Sequence, residues 1–293
     1  METENFLGLE CQPLENEQVR LLVTRTVGPR ILSFGFKGEE NLLAELPDVA
    51  INHADGVFHF YGGHRLWHAP EEPRRTYLPD DDPVEMTLSE QGIVVTQKAE
   101  VQTGIQKTLE IKLSGESAQV VITHRFTNEG LWPVTCAPWA ITQVKTGGTA
   151  ILPQARQDTG VLPNRSLVLW PYTDMQNPNV QWGSSYILVH ANMDSPFKVG
   201  FPNPRGWIAY WRSGVLFVKR APYDPNAEYY DFGCSSECYC NAQFIELETL
   251  APISTIEPGE TVSHVEMWEL YRNVDRPESE KEVQALVEKL GLE

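Results

Sequence analysis

One short segment of this chain concentrates side chains that can titrate, hydrogen-bond and stack. The segment FHFYGGHRLWHAPEEP (58–73) follows closely on His53, so that four of the seven histidines fall within sixteen positions. Its Gly-Gly pair lets the backbone turn sharply and approach a ligand closely. We therefore expect His64 and Arg65 to project as hydrogen-bond donors beside Trp67 as a stacking surface. The segment favours a site for a polar ligand, and the alternative is a loop rich in aromatic rings.

A second candidate is a pair of carboxylates on one strand. In the segment NAQFIELETLAPI the residues alternate, so Phe244, Glu246 and Glu248 share a face. If that face is partly buried, at least one glutamate has a raised pKa and can act as a general acid or base. If the face is exposed, the pair consists of ordinary surface glutamates. The strand alone leaves both interpretations open.

The elements that must position these side chains are β-strands almost throughout. Alternation with a period of two recurs in AQVVITHRFTNEG, SSYILVHAN and TVSHVEMWELYRN, and most of the 21 prolines and 21 glycines lie between such runs. One clear amphipathic helix is predicted at about 278–290. We expect an all-β fold in which residues 1–293 form a single β-sandwich domain. Two large antiparallel sheets should pack face to face, with the C-terminal helix against the edge.

Composition excludes several classes of partner. The net charge of -17 argues against nucleic acid, because binding phosphates requires clustered Lys and Arg. No apolar run is long enough to span a bilayer, so no membrane partner is expected. The N-terminal residues lack the pattern of a secretion signal, and the five cysteines do not suggest a disulfide framework. We therefore expect a cytoplasmic protein, and the sequence leaves its oligomeric state open.

Neither a metal ion nor a cofactor is predicted. Cys234, Cys238 and Cys240 form a C-x3-C-x-C cluster, but zinc sites usually combine two ligand pairs and no second pair is present. Cys238 and Cys240 are more typical of small core residues. The spacing of the histidines matches no established metal motif. There is no G-x-G-x-x-G sequence and no phosphate-binding loop.

The segment FIELETLAPISTIEPGETVSHVEMWEL resembles the closing strands of the galactose-mutarotase-like superfamily, the β-supersandwich shared by aldose 1-epimerases. The Gly-Gly segment, HRFTNEGLWPVTCAPWAIT and KVGFPNPRGWIAYW fall in the order of that fold, so the resemblance covers residues 21–271. The GGHRLWHAPE sequence is similar to a branch of the superfamily without an assigned activity. The resemblance implies a sugar ligand on the concave face of the larger sheet.

The same resemblance implies candidate catalytic residues. In aldose 1-epimerases a glutamate takes the proton of the anomeric hydroxyl and a histidine protonates the ring oxygen, without a cofactor. The LETL segment places Glu248 at the position of that glutamate. The two usual histidine positions hold Tyr61 and Trp139, and His64 is the nearest candidate acid. The resemblance thus implies an isomerase acting on an aldose or uronate. The missing histidines favour instead a protein of carbohydrate metabolism that binds sugar without catalysis.

A sugar site combines aromatic faces with hydrogen-bonding side chains. The candidates for stacking are Trp67, Trp139, Trp170 and Tyr172, although many such rings belong to the core of a large sandwich. The candidates for binding hydroxyl groups, besides His64 and Glu248, are Arg65, Asp174, Lys198, Glu237, Asn241 and Glu246. Arg65 and Lys198 further suggest a sugar acid, and an internal ion pair of Arg65 with Glu71 or Glu72 is the alternative.

Overall fold

A computed structural model describes residues 2–89 and 92–293, which form two antiparallel β-sheets and three helical segments. The larger sheet contains β1 (Glu4–Phe6), β2 (Leu9–Glu15), β3 (Val19–Thr24), β4 (Arg30–Phe36), β5 (Glu45–His53), β6 (Gly56–Ala69), β11 (Val134–Lys145), β13 (Val168–Leu169), β16 (Phe197–Phe201), β19 (Ser236–Cys240), β20 (Phe244–Leu250) and β21 (Ser254–Ile256). The second sheet contains β7 (Glu85–Ser89), β8 (Gly92–Thr96), β9 (Ile105–Leu113), β10 (Gln119–Asn128), β12 (Thr149–Pro153), β14 (Val180–Trp182), β15 (Tyr186–His190), β17 (Trp207–Arg212), β18 (Val215–Arg220) and β22 (Thr261–Tyr271). The helical segments are α1 (Pro73–Thr76), α2 (Tyr230–Gly233) and α3 (Glu280–Leu290).

The strand order of the larger sheet brings distant parts of the chain together. Its order is β1-β2-β3-β4-β6-β11-β20-β19-β16-β13, with β5 paired to β6 and β21 paired to β11. The order of the second sheet is β14-β15-β12-β17-β18-β22-β10-β9-β8-β7. These pairings confirm the predicted all-β architecture of two large antiparallel sheets. The central strands β6, β11, β20, β19 and β16 carry the candidate functional site.

The core lies between the two sheets. Ile245 and Leu247 of β20 belong to one buried cluster with Ile208, Phe217 and Trp268 of the second sheet. All five side chains are at most 1% exposed. The face of β20 that carries Ile245 and Leu247 is therefore the inner face, and the alternate residues of β20 point away from the second sheet.

The C-terminal helix forms close to where the sequence predicts it. The Ser279 side chain accepts a hydrogen bond from the backbone N–H of Glu282, and Gly291 ends the helix with a left-handed φ of 62°. Val283 and Val287 pack with residues such as Ile151 and Leu188, whose neighbours along the strands belong to the inner core. The helix therefore covers the outer face of the second sheet, and the prediction that it lies against the edge is wrong. Apolar side chains on that face need a cover, and the helix supplies it.

No helix in the described ranges is long and apolar enough to cross a membrane.

Candidate functional site

The register of the central strands decides which side chains meet on the outer face of the larger sheet. Glu248 of β20 lies opposite Ile141 of β11 and opposite Glu237 of β19. Ile141 in turn lies opposite Arg65 of β6. Directly opposed residues in an antiparallel pair point to the same face. The prediction that Glu246 and Glu248 share a face with Phe244 is therefore confirmed, and this face turns away from the second sheet.

A cavity of about 430 Å³ opens on this outer face. Eight of its fifteen lining residues are aromatic, and two of them are carboxylates. The lining residues are Val49, Phe60, Trp67, Glu71, Tyr77, Trp139, Trp170, Tyr172, Pro196, Lys198, Tyr239, Asn241, Gln243, Phe244 and Glu246. The volume lies in the range of about 300–1,000 Å³ that is usual for small-molecule sites.

The floor of the cavity is an ion cluster centred on Lys198. Its Nζ lies 2.7 Å from Oε2 of Glu237 and 3.0 Å from Oε2 of Glu248. Trp139 Nε1 also donates to Oε2 of Glu248, at 2.8 Å. Burial alone would lower the pKa of Lys198, but the two carboxylates raise it well above its ordinary value. The positive charge of Lys198 therefore balances the negative charge of the two carboxylates beneath the cavity.

Glu237 and Glu248 lie below the cavity and do not line it. Both side chains are fully buried. Burial opposes the negative charge of Glu237, and the Lys198 ammonium group at 2.7 Å favours it. The assignment of Glu248 as a base in contact with a ligand does not fit this position, because Glu248 is fully buried and is not a lining residue of the cavity. Glu248 instead fixes the positions of Lys198 and Trp139.

Glu246 is the buried carboxylate that faces the cavity. Its side chain is mostly enclosed, and Oε1 accepts a hydrogen bond of 2.9 Å from Nε2 of Gln143. Arg65 NH2 lies 3.7 Å from the same oxygen. Burial, followed by the charge of Glu248, raises the pKa of Glu246 to about 7 against the lowering effect of Arg65. A carboxyl group with this pKa exchanges protons near neutrality.

Arg65 supports the wall of the cavity from behind. Its guanidinium carbon lies 4.3 Å from the ring centre of Trp67 and 5.2 Å from that of Phe60. Its NH1 donates to Oε1 of Gln143 at 3.0 Å, and the side chain is buried. Arg65 is not a lining residue of the cavity, so its predicted role as a donor to a ligand does not apply to this cavity. Its acidic neighbour is Glu246 rather than either glutamate of the following segment.

The segment between β13 and β14 closes one side of the cavity. The Trp170 ring centre lies 4.6 Å from Lys198 Nζ, and Tyr172 is 45% exposed. Thr173 fixes this segment on β16, because its Oγ1 accepts a hydrogen bond of 3.1 Å from the backbone N–H of Lys198. Asp174 points elsewhere: it is exposed, its carboxylate accepts the backbone N–H of Gln176, and it is not a lining residue. The predicted role of Asp174 in binding a ligand therefore does not apply to this cavity.

His64 lies on the opposite face of the larger sheet from Glu248. It is opposite Thr142, the neighbour of Ile141, and its Nδ1 and the Thr142 hydroxyl are 2.9 Å apart. Its Nε2 lies 2.7 Å from Nε2 of His124 on the second sheet. The side chain is fully buried between the sheets, and burial lowers its pKa well below the ordinary value. The prediction that His64 and Glu248 meet in one pocket is wrong.

Glycine is required at positions 62 and 63 for a different reason from the predicted one. Gly62 and Gly63 have φ values of 86° and 72°, in the region that favours glycine. A Cβ atom at Gly62 would lie 1.9 Å from the carbonyl oxygen of Ala44, and one at Gly63 would lie 2.1 Å from that of Ile31. The glycines therefore allow neighbouring backbone, not a ligand, to approach β6.

His64 belongs to a buried polar network between the sheets. His124 Nδ1 donates to a carbonyl oxygen, so its Nε2 accepts from His64. Lys219 Nζ lies 2.9 Å from Oε1 of Glu266, whose Oε2 accepts from Trp268. His64, His124 and Glu266 offer possible metal-ligand atoms within 4.8 Å of one another. A cation there would have to displace the ammonium group of Lys219, so these residues do not form a prepared metal site.

The structure brings together most of the predicted site and adds members that the sequence did not reveal. Trp67, Trp139, Trp170, Tyr172, Lys198, Asn241 and Glu246 line the cavity. Glu71, Tyr77 and Tyr239 were missed. The alternation in SECYC could have identified Tyr239, since it shares a face with Glu237. Tyr77 donates to Glu71 at 2.5 Å, and no periodic signal in the segment after β6 reveals that pair.

The chain matches no family model and no curated protein sequence. Solved structures do match. A galactose mutarotase-like protein from Lactobacillus casei ATCC 334 is 10% identical with a TM-score of 0.60, and the alignment covers 89% of this chain and 100% of that one. A protein from Escherichia coli K12, described provisionally as an aldose 1-epimerase, is 13% identical with a TM-score of 0.58, over 90% of this chain and 100% of that one. A provisionally described mutarotase from Salmonella typhimurium is 11% identical with a TM-score of 0.58, over 92% and 93%. At these identities the similarity lies in the fold.

Proposed function

Since this chain has the galactose-mutarotase-like fold, we propose that the cavity on the outer face of its larger sheet binds a monosaccharide. The observation that carries this proposal is the composition of the cavity, in which aromatic rings surround the Glu246 carboxylate and the Lys198 ammonium group. Aromatic faces stack on the apolar side of a pyranose, and the polar groups bind its hydroxyls. Asn241 and Gln243 add amide side chains at the same cavity.

Titration of the purified chain with a panel of aldoses and sugar acids tests this proposal. Trp67, Trp139 and Trp170 line the cavity, so a bound sugar should change the intrinsic fluorescence, and calorimetry gives the affinity. Tyr172→Ala should weaken binding about fivefold to tenfold with little loss of stability, because an aromatic contact at a binding site is worth ~1 kcal/mol or more and Tyr172 is 45% exposed. Trp132→Ala is the matched control, since Trp132 is 77% exposed and lies outside the cavity.

A panel in which no sugar gives a heat or fluorescence signal would contradict the proposal. An equal loss of affinity in the Tyr172 and Trp132 variants would contradict the assignment of the site. Tyr172 is a better probe than Trp67 or Arg65, because both of those side chains are buried and pack on each other. Truncation of either should destabilise the fold and so obscure an effect on binding.

A second candidate function is interconversion of sugar anomers, and the pKa of Glu246 favours it. In this proposal Glu246, rather than Glu248, accepts the proton of the anomeric hydroxyl, since its pKa of about 7 suits it to exchange protons near neutrality. A carbonyl group forms at C1 as the bond between C1 and the ring oxygen breaks, and Lys198 in the same cavity transfers a proton to the departing ring oxygen. After rotation about the C1–C2 bond, the hydroxyl formed from the ring oxygen attacks C1 and returns its proton to Lys198. Glu246 then returns its proton to the anomeric oxygen, and no cofactor takes part.

Exchange spectroscopy of the anomeric protons distinguishes catalysis from binding alone. Wild-type protein should accelerate exchange for the sugars that bind, and Glu246→Gln should reduce the acceleration by about a hundredfold or more, the usual size of a general acid–base contribution. Glu116→Gln is the control, because Glu116 is exposed in the turn between β9 and β10 of the other sheet. A bound sugar that exchanges no faster than in buffer would leave the protein as a sugar-binding protein without catalysis.

A further inference from the structure

The charges around the cavity do not suit a sugar acid. In the described part of the chain, Lys198 is the one cationic side chain among the lining residues. Two carboxylates already bind its ammonium group, at 2.7 and 3.0 Å. Arg65 lies behind Trp67 and Phe60 and does not reach the cavity. A ligand carboxylate would therefore lose its hydration without gaining a free cation as a partner.

Two carboxylates face the cavity from different sides. Glu71 approaches from the segment after β6, where its Oε1 accepts a hydrogen bond of 2.5 Å from Tyr77. Glu246 approaches from β20, and its side chain is only 7% exposed. Gln143 occupies Oε1 of Glu246, and no described residue donates a hydrogen bond to Oε2. Oε2 therefore faces the cavity without a protein donor and can accept a hydrogen bond from a donor on a ligand.

The aromatic rings of the cavity also favour a ligand with a positive charge. Lys198 Nζ itself lies 4.8 Å from the ring centre of Trp139 and 4.6 Å from that of Trp170. These distances are in the range of cation–π contacts, which attract ammonium groups more strongly when water is excluded. Phe60, Tyr77 and Phe244 add further aromatic rings to the lining of the same cavity. The cavity thus combines ring faces and carboxylates, the two kinds of group that bind an ammonium ion.

We propose that the preferred ligand of the cavity is an amino sugar, with its ammonium group bound by Glu246 and the surrounding aromatic rings and its ring stacked in the same cavity. The inference rests on the proposed sugar-binding function and narrows its ligand class. It replaces the sugar acid expected from Arg65 and Lys198, because the structure pairs both cations with protein groups. Neutral aldoses bind more weakly, since they offer only uncharged donors to the same carboxylate.

Calorimetric titration at pH 7 with matched ligands tests the inference. The ligands are hexoses with an amino group at C2, C3 or C6, their N-acetylated forms, the parent aldoses and the corresponding uronic acids. At least one amino sugar should bind about tenfold or more tightly than its parent aldose, because hydrogen bonds to charged groups contribute about 1.5–3 kcal/mol and 1.4 kcal/mol is tenfold. N-acetylation removes the charge and should abolish the advantage.

The Glu246→Gln variant tests whether the preference for amino sugars over aldoses depends on the Glu246 carboxylate. The variant should reduce the ratio of amino-sugar affinity to aldose affinity to near one, and Glu116→Gln should leave the ratio as in the wild type. Calorimetry in two buffers of different ionisation enthalpy adds a second readout. A bound ammonium group lowers the pKa of Glu246 from about 7. Binding of the amino sugar near pH 6.5 should therefore release a proton from Glu246, and binding of the neutral aldose should not.

The two proposals fail in different ways. If aldoses bind and no amino sugar binds more tightly than its parent or its N-acetylated form, the inference is overturned and the sugar-binding function stands. A uronic acid that binds as tightly as the best amino sugar also overturns the inference alone. If no sugar of any class binds, both proposals are wrong.

Discussion

Replacing Lys198 by methionine tests whether the floor of the cavity depends on one cation. Methionine keeps a long unbranched side chain, so the change mainly removes the ammonium group. In the folded chain that group lies 2.7 Å from Glu237 and 3.0 Å from Glu248, and both carboxyl groups are fully buried. Removing it leaves the two carboxyl groups without their cationic partner inside the protein.

The magnitude follows from the burial of these groups. Breaking a buried ion pair by removing one partner costs about 3–5 kcal/mol, because a charge remains without compensation. Lys145→Met is the matched control. Lys145 pairs with Glu40 and Glu45, but its side chain is 25% exposed and those of its partners are 52% and 33% exposed. Its loss should therefore cost at most about 1 kcal/mol.

The Lys198 variant should also acquire a pH dependence of known sign. Its buried carboxyl groups can avoid their charge by binding protons, so the folded variant binds more protons than the unfolded chain. The free energy of unfolding of the variant, relative to that of wild type, is then highest at low pH and falls as the pH rises. The difference in free energy of unfolding between wild type and the Lys198 variant should be smaller at pH 5 than at pH 8.

Urea unfolding at pH 5, 6, 7 and 8 measures both quantities for wild type and the two lysine variants. A loss below about 1 kcal/mol for Lys198→Met, equal to that of the control, would refute the reasoning from burial. A loss that does not change with pH would show that Glu237 does not take up a proton when the cation is removed. The slope of each unfolding curve shows whether the transition remains comparable between variants.

Three further predictions concern the site and the core. The free energy of unfolding of Glu246→Gln relative to wild type should increase between pH 5 and pH 8, by up to about 3 kcal/mol. Folding raises the pKa of Glu246 from 4.5 to about 7, so the wild type loses stability as the pH rises through this range and the glutamine variant does not. Parallel curves of stability against pH, measured in urea, would contradict this prediction. His264 should show no titration of its ring protons by NMR between pH 4 and pH 8, since burial lowers its pKa to about 3, and a midpoint near 6.5 would show that the network between the sheets is hydrated. Gly200→Ala should destabilise the fold by about 1–3 kcal/mol, because the new Cβ would lie 2.6 Å from Sγ of Cys234; an unchanged thermal midpoint would mean that this contact relaxes freely.

The alternation of residues in single strands is what the sequence predicts reliably. In FIELETL the period of two places Glu246 and Glu248 on one face, and the structure agrees because the strand is regular. The alternation does not predict whether residues on two different strands share a face. Whether His64 shares a face with Glu248 depends on the pairing of β6 with β11, which joins residues far apart in the chain. A shift of one residue in that register reverses the face, and no local pattern specifies it.

The burial of charge was also beyond reach from the sequence. Arg65 and Lys198 suggested an acidic ligand or, for Arg65, an ion pair with Glu71 or Glu72. The structure instead gives each cation acidic neighbours from other strands. The Gly-Gly pair likewise indicated close approach by a ligand, whereas the carbonyl oxygens of Ala44 and Ile31 occupy that space. In each case the residue type was informative, and its partner was determined by the tertiary structure.

The arrangement of three carboxylates around one ammonium group explains why Glu246 is the group that titrates near neutrality. Lys198 lies against Glu237 and Glu248 and forms its ion pairs with them. Glu246, two residues from Glu248 on the same face, has only an amide donor at 2.9 Å and a guanidinium 3.7 Å away. Burial and the neighbouring charge of Glu248 then raise its pKa to about 7. The buried ion cluster thus positions the walls of the cavity and, through the same charges, leaves Glu246 available to a ligand as the buried carboxylate of the lining.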